Sequence, residues 1–279
     1  MTGNDGDDDS RRVITPLFDR PGGADVVTGD FSGLVEMNIA GTSVNLHHRD
    51  LFETGAKGFV IPQWANKVSD GGIAHAAMQK YGDAFNKAYA DYLAIDTNRE
   101  KLARVVLFKD PEADLYFFHT VTVQTGHLLA ARNVADAVSY VLSLCEQRGI
   151  KSVGFPAMCT GVQGELTDEQ SAKTIAHAIH QFSASKPSDV KVNVAISGYG
   201  SRERFIAFQK VFQNPDLFKD FDPTAEVGLR EEDIRRNIAE KSAQGKLPVV
   251  VVGTDGQIIT SKPSSGATLH RLGRPEDNL

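Results

Sequence analysis

Residues 154–166 read GFPAMCTGVQGEL, and this stretch decides the fold class that we predict. The short apolar run Ser152–Pro156 is typical of a buried strand, and Gly161 and Gly164 follow it just before a predicted helix. Glycine after a strand lets the backbone turn sharply and approach a ligand closely. Backbone N–H groups beside the start of a helix favour an anion. Phosphate is therefore the first candidate ligand, although one glycine-rich turn does not identify it.

Composition limits the classes of protein to consider. The chain has 279 residues, of which 41% are hydrophobic, and a formal net charge of −6. This is enough for one large domain with appendages. No basic run is present, so we expect neither binding to a membrane nor direct sequence-specific binding to nucleic acid. Cys145 and Cys159 are the only cysteines, too few for a disulfide framework, and we expect a reducing, cytoplasmic location.

Apolar periodicity predicts strands and helices in alternation. Asn133–Arg148 is the clearest helix, and Gly149 ends it. Thr167 and Gln170 form the capping pattern of a helix over Thr167–Ser183. This order predicts a parallel or mixed sheet covered by helices. The other predicted strands are Leu34–Ile39, Ser43–His48, Lys57–Pro62, Leu102–Phe108, Ala113–Val123 and Val190–Ser197, and the other helices are Ile73–Tyr81, Asp83–Ile95 and Arg202–Gln213.

The chain divides into three segments. Residues 1–12 carry four aspartates and no apolar residue beyond Met1, so we expect a disordered lead and not a signal peptide. Residues 13–222 form one domain that includes N-terminal extension strands. Residues 223–279 contain a charged helix at Ala225–Ser242, a hairpin and a flexible tail. Since a lone hairpin is marginal in water, it should extend the main sheet, pack on it or contact a second copy.

Two glycine-bearing loops follow predicted strand ends, one at Trp64–Ala74 and one at Met158–Gly164. In an open α/β sheet, ligands bind outside the carboxyl ends of the strands. Two such loops facing one cleft can hold two linked phosphates from both sides. The pattern therefore predicts a nucleotide diphosphate, with a sugar contact from Asn66. It matches neither the P-loop nor the dinucleotide fingerprint.

The sequence resembles the macrodomain family, which binds ADP-ribose, over about Asn45–Phe212. Ser152–Gly164 resembles that family's second phosphate loop, His119-Thr120-Val121 resembles its central strand, and Ala65-Asn66 resembles the end of its Asn-Ala-Ala-Asn motif. The resemblance implies a three-layer α/β/α sandwich with a central mixed sheet. It also implies that the partner is ADP-ribose or an ADP-ribosylated macromolecule, and we expect no cofactor.

The resemblance assigns parts of this ligand to particular residues. Asp50, beside Leu51, stands where family members read the adenine amino group, and Asn66 would contact the distal ribose. The first phosphate loop would use Gly71, Gly72 and Ile73. The remaining binding candidates are Pro156, Ala157, Thr160, Gly161, Val162, Gln163 and Gly164 in the second loop, and Ser197 and Tyr199 after the last core strand, where an aromatic residue often stacks on adenine.

The chain departs from the family at positions linked to catalysis. Pro62-Gln63-Trp64 replaces the usual Val-Asn-Ala, and Ala74 stands where many hydrolytic members carry a water-positioning Asp. Another hydrolytic subgroup uses a Lys and a second-loop Asp, and this chain has neither at those places. Asp70 and His75 remain as catalytic candidates. We expect hydrolysis of an ADP-ribosyl linkage, with a non-catalytic reader or sensor of ADP-ribose, or of a related NAD-derived nucleotide, as the alternative.

Each candidate residue also has a purely structural explanation. A carboxylate or amide can cap a turn or a helix, and a histidine can lie exposed on a helix or buried in a core. These explanations apply to Asp50, Asn66, Asp70, His75 and His119. Cys159 is more typical of a small packing residue than of a nucleophile. His47 and His48 lack acidic or cysteine partners at ligand spacing, so we expect no metal site.

Overall fold

The computed structural model describes residues 33–69, 71–82, 84–95, 104–123, 129–160, 165–185, 188–198 and 201–225, together with short strands at 251–252 and 258–259. Several predictions fall outside these residues. They concern the lead of residues 1–12, the helix at Ala225–Ser242, Asp70, Gly161–Gly164 and Tyr199.

The described chain forms one seven-stranded sheet, a separate strand pair and five α-helices. The strands are β1 (Leu34–Ile39), β2 (Thr42–His47), β3 (Gly58–Trp64), β4 (Arg104–Asp110), β5 (Leu115–Val123), β6 (Ser152–Pro156), β7 (Lys191–Ala195), β8 (Val251–Val252) and β9 (Ile258–Ile259). The helices are α1 (Gly72–Tyr81), α2 (Ala84–Leu93), α3 (Ala130–Arg148), α4 (Asp168–Ser185) and α5 (Ser201–Phe212). Every strand and helix predicted between Leu34 and Gln213 is confirmed, with small shifts of its ends.

Five neighbouring strands of the large sheet run parallel, and the two edge strands run antiparallel to them. The strand order is β1-β2-β7-β6-β3-β5-β4. Parallel pairing joins β2 to β7, β7 to β6, β6 to β3 and β3 to β5. The edges β1 and β4 pair antiparallel with β2 and β5. The predicted mixed sheet is therefore confirmed, and the carboxyl ends of five strands lie at one edge of it.

Apolar side chains cover both faces of the sheet. In β3, Val60 joins the core cluster that contains residues of α3, α4 and α5, whereas Phe59 and Ile61 join the cluster with α1 and α2. Successive residues of a strand point to opposite faces, so a strand that is apolar on both needs a layer of helices on each side. The three-layer α/β/α sandwich is confirmed.

Local sequence signals account for the helix ends. The N–H of Gly149, which has φ +68°, donates to the carbonyls of Cys145 and Glu146 and ends α3. Thr167 and Gln170 cap α4 reciprocally, with backbone-to-side-chain distances of 2.9 and 3.1 Å. None of the described helices is long and apolar enough to cross a membrane.

The two flanks differ in how the structure describes them. β1, part of the predicted N-terminal extension, forms an edge of the large sheet, and its Val35 and Met37 pack against the main core. β8 and β9 pair antiparallel through Val251 with Ile259 and Val252 with Ile258, as the predicted hairpin requires. Among the described residues, β8 and β9 form a two-stranded sheet of their own and do not extend the large sheet. Packing of the hairpin on the domain stays a prediction.

His119, in β5, is a buried core histidine with a defined tautomer. Its ring stacks with those of Phe85 and Tyr89, with centroid distances of 5.6 and 5.5 Å. The side-chain oxygen of Gln63 accepts from the N–H of Ser69 at 2.7 Å, so the amide nitrogen of Gln63 faces the Nδ1 of His119 at 3.0 Å. Since that nitrogen can only donate, Nδ1 must accept, and the proton of the neutral ring lies on Nε2.

We expect this histidine to make stability depend on pH. Burial lowers the pKa of His119 to about 4, against a smaller opposing effect of the Phe85 backbone. The unfolded chain takes up a proton below about pH 6.5 while the folded chain does not, so stability falls as pH falls. The loss at pH 5 should be about 2 kcal/mol from this residue. Urea denaturation at pH 7.5 and at pH 5 measures this difference in unfolding free energy. The variant His119→Gln should lack the contribution of about 2 kcal/mol.

A second measurement keeps this prediction testable if the variant does not fold. Nitrogen-15 chemical shifts of the wild-type imidazole should report the neutral form with its proton on Nε2 at pH 5. A doubly protonated His119 ring at pH 5 would contradict the prediction.

Candidate functional site

The binding residues predicted from the sequence, where the structure describes them, lie at or after the carboxyl ends of parallel strands. Asp50 and Leu51 follow β2, Asn66 and Gly71–Ile73 follow β3, and Ser197 follows β7. Pro156 ends β6, and Ala157 and Thr160 come next. Because β2, β7, β6 and β3 are adjacent in this order, the topology brings all of these segments to one edge of the sheet.

Asp50 opens a short 3-10 helix over Leu51–Glu53. Its Oδ1 accepts a hydrogen bond of 2.8 Å from the N–H of Phe52, and the side chain is half-buried. The capping role considered for Asp50 is therefore real. It engages one carboxylate oxygen, so capping and recognition of a ligand through Oδ2 are compatible.

The environment of Asp50 is aromatic. The ring of Phe52 meets that of Tyr81 edge-on, with centroids 5.4 Å apart, and Lys80 donates to the carbonyl of Phe52 at 3.3 Å. Burial, and after it the charge of Asp50, raises the pKa of the Tyr81 phenol. The carboxylate of Asp50 and the phenol of Tyr81 thus lie close enough to interact electrostatically.

Leu51 is fixed by a close approach to β6. Its side chain is 1% exposed, and a Cβ added to Gly154 would lie 2.8 Å from its Cδ1. Only glycine leaves room for Leu51 at this place. The glycine in the middle of the β6 strand therefore sets the position of the chain immediately after Asp50.

Gln63 holds the first loop, a role that no local pattern in the sequence predicts. The side chain is fully buried and bonds both to His119 in β5 and to the backbone of Ser69. The residue that departs from the family motif thus ties the end of the loop back to the sheet. A buried glutamine with both ends of its amide engaged is rigid, because breaking either bond leaves a polar group unsatisfied.

The start of the same loop is held at Trp64. The hydroxyl of Tyr89 donates to the carbonyl of Trp64 at 2.5 Å, and the ammonium of Lys67 lies 4.9 Å from the centroid of the half-buried Trp64 ring. Ala65 is buried and Asn66 is exposed. The exposed amide of Asn66 is available to a ligand at the strand end, as its predicted ribose contact requires.

The first glycines adjoin open space. Gly71 precedes α1, Gly72 has φ +53°, and a Cβ added to either would meet nothing within 4 Å. His75 is exposed one turn into the helix, and its N–H donates to the carbonyl of Gly71 at 3.4 Å. Ala74 is fully buried in the cluster with α1 and α2. The position of the missing acid therefore faces the core here.

The second loop leaves β6 with its carbonyl groups occupied by donors from the protein. Four successive carbonyl oxygens each accept a hydrogen bond from a donor elsewhere in the protein, which fixes the orientation of these peptide groups. The pairs are Ala157 with the Thr160 hydroxyl (3.3 Å), Met158 with the Ser171 hydroxyl (2.7 Å), Cys159 with the Leu166 N–H (3.0 Å) and Thr160 with the Arg204 guanidinium (3.4 Å).

Cys159 is a packing residue, as expected. It is 7% exposed, has φ +57°, and its thiol donates to the carbonyl of Thr122 at 3.6 Å. Burial, and next the charge of Glu165, raises the pKa of the Cys159 thiol far above its ordinary value. A thiol held in its protonated form does not act as a nucleophile.

The end of β7 is joined to the end of β2. The N–H of Ile196 donates to the carbonyl of His47 at 2.8 Å, which leaves Ser197 exposed beside the segment that carries Asp50. The Nε2 of His48 lies 2.8 Å from the hydroxyl of Ser201 at the start of α5. Burial and then the charge of Arg202 lower the pKa of His48. In the part of the chain that the structure describes, no group of three potential metal ligands occurs.

Residues 65–185 match the family model described as Macro domain. The predicted resemblance to the macrodomain family is therefore confirmed over this range. The matched range includes both loops but neither Asp50 nor Ser197. The position of these two residues at the predicted site is therefore inferred from the strand order alone. No curated protein matches the chain.

Solved macrodomain structures share the fold. The Oceanobacillus iheyensis macrodomain with MES bound is 19% identical, with a TM-score of 0.57 over 64% of this chain and 95% of that chain. The same protein with ADP is 18% identical, with a TM-score of 0.56 over the same shares. A Trypanosoma brucei macrodomain in complex with ADP is 17% identical, with a TM-score of 0.50 over 60% of this chain and 68% of that chain.

The close approach of Gly154 to Leu51 allows a prediction about the stability of this domain. Gly154→Ala should destabilise the fold by about 1–3 kcal/mol, because Leu51 must leave its packed rotamer. Leu51→Val removes the δ carbons that an added Cβ would meet. The double variant should therefore lose less unfolding free energy than the two single variants lose together. Denaturant unfolding of the four proteins measures this. Additive effects of the two changes would show that the contact does not constrain Leu51.

Proposed function

We propose that this macrodomain binds ADP-ribose, either free or attached to a macromolecule. The observation that carries the proposal is the convergence of Asp50, Ser197 and the strand ends that lead into the two glycine loops at one edge of the parallel sheet. Asp50 and Ser197 follow the neighbouring strands β2 and β7, on one side of β6. Asn66 follows β3, on the other side. A ligand with a base, two phosphates and a second sugar in that order fits this sequence of groups.

Each segment offers chemistry suited to its part of the ligand. The half-buried carboxylate of Asp50 can accept from the adenine amino group through Oδ2. The open backbone around Gly71 and Gly72 lets phosphate oxygens come within reach of N–H groups at the start of α1. The exposed amide of Asn66 can bond ribose hydroxyls. The second loop, through Thr160 and the glycines that follow, would close the diphosphate from the other side.

We propose hydrolysis of the ADP-ribosyl linkage as the reaction. Cleavage at the anomeric carbon passes through an oxocarbenium-like state and needs a positioned water with a proton acceptor. His75 is exposed in the first turn of α1, next to the open glycines, and its imidazole would accept the proton. Asp70, two residues before Gly72, is the second candidate. The bond broken is that between the distal ribose and the modified group, or an ester on that ribose, and water supplies both the hydroxyl and the proton.

A non-catalytic reader is the second candidate function, and the burial of Ala74 favours it. This position, which carries the water-positioning acid in many hydrolytic relatives, has a small apolar side chain packed into the core. We also propose the cytoplasm as the place of action, since both cysteines are free and buried.

Asp50→Asn provides the sharpest test of binding. The amide oxygen of Asn can keep the cap on the N–H of Phe52, so the fold should be preserved, but an NH2 group replaces Oδ2. ADP-ribose affinity should then fall by about 1–3 kcal/mol, the usual effect of an unpaired polar group. Calorimetry measures it, with Gly161→Glu as a non-binding control. Equal affinity of wild type and Asp50→Asn would reject the role of Asp50 in adenine recognition.

Turnover separates the two candidate functions. The protein should release ADP-ribose from one of three substrates, which are an ADP-ribosylated protein, an ADP-ribosylated nucleic acid and an acyl ester of ADP-ribose. His75→Ala should lower kcat about 100-fold or more and leave affinity nearly unchanged, because a general base acts on the water and not on binding. Chromatography of released ADP-ribose measures the rate. Tight binding without release from any of the three would establish the reader.

A further inference from the structure

Arg204, in the first turns of α5, joins three elements beside the second loop. Its Nε donates to the Oδ1 of Asp168 at 2.7 Å, at the start of α4. Its terminal nitrogen donates to the carbonyl of Thr160 at 3.4 Å. The Arg204 side chain is only 17% exposed and that of Asp168 is 35% exposed, so solvent screens this ion pair less than a surface pair.

The ion pair with Asp168 makes Arg204 rigid. A guanidinium is a planar fork whose donors keep fixed relative directions. Once Nε is bound to Asp168, the direction of the terminal N–H toward Thr160 is also fixed. An ion pair that only tied α5 to α4 would not need this second bond, which reaches the residue immediately before the glycines.

The carbonyl of Thr160 belongs to the last described peptide group before the glycines. A peptide group is planar, so a bond to its oxygen constrains the orientation of the whole group. The hydrogen bond from Arg204 therefore restricts the orientation of the Thr160 carbonyl. The three preceding carbonyls are also held by protein donors, so Arg204 completes a series that begins at Ala157.

We propose that Arg204 is a positioning residue for phosphate binding, which it serves by orienting the Thr160 peptide at the entrance of the second loop. This inference rests on the proposed binding of ADP-ribose. The effect of Arg204 should be confined to the phosphates. Thr160 adjoins the loop expected to hold the diphosphate, whereas Asp50, the residue expected to bind adenine, lies after β2. Loss of Arg204 should therefore weaken binding through the phosphates and spare binding through adenine.

The test compares two ligands on the full-length chain. Arg204→Gln should weaken ADP-ribose binding at least tenfold in calorimetry, while its affinity for adenosine, measured by NMR titration, stays within twofold of wild type. Arg204→Lys keeps the positive charge but loses the planar guanidinium, so its affinity for ADP-ribose should lie between those of Arg204→Gln and wild type. Lys210→Gln, which removes an exposed charge from the same helix, is the matched control and should bind both ligands as wild type does.

Hydrogen exchange in the absence of ligand gives an independent readout. Amides of residues 158–160 and 165–168 should exchange faster in Arg204→Gln than in wild type. If Arg204→Gln does not fold, Asp168→Asn should give the same pattern with a smaller loss of ADP-ribose affinity. Unchanged ADP-ribose affinity in Arg204→Gln, or equal weakening for both ligands, would overturn this inference alone. Failure of the wild-type chain to bind ADP-ribose would overturn the proposed function, and this inference with it.

Discussion

A parallel sheet that is buried on both faces leaves one place for polar chemistry, and the rest of this structure depends on that constraint. Helices cover both sides of the strands β2, β7, β6, β3 and β5, so most side chains of these strands are buried in the core clusters of the two faces. Only the segments that leave the strand ends can present polar groups to a ligand. Because all five strands point the same way, these segments meet at one edge although they are far apart in sequence.

The phosphate recognition that we propose uses backbone groups of the two loops, and backbone groups must be oriented by the residues around them. Buried side chains do this in both loops. Gln63 ties the first loop to His119 and Ser69, and Arg204 ties the second to α4. Gln63 also explains how the chain accommodates its departure from the family motif. At this position family members carry a different residue at the strand end. Here the amide of Gln63 makes hydrogen bonds inside the protein through both its oxygen and its nitrogen.

Much of the fold could be predicted from the sequence, because it follows from local patterns. The apolar spacing of α3, the capping pair Thr167 and Gln170 and the short apolar strands each give a signal within a few residues. The positions of Asp50, Asn66 and the glycines followed from the same strand ends. The sequence did not predict Gln63 or Arg204, since their partners lie 56 and 36 residues away, and such pairs have no local pattern. The positive φ of Cys159 is equally invisible, because side-chain chemistry gives no sign of it.

Binding and hydrolysis make different demands on this architecture. Binding through strand ends and backbone amides tolerates many changes of side chain, since the sheet and the helix starts supply the geometry. Hydrolysis needs a particular proton acceptor at one atom of the ligand. At Ala74 the helix turns the side chain into the core, so an acid restored there would have to leave a packed apolar site to reach water. For the hydrolysis that we propose, the candidate acceptors are therefore His75, which is exposed on α1, and Asp70, which precedes α1 in the sequence.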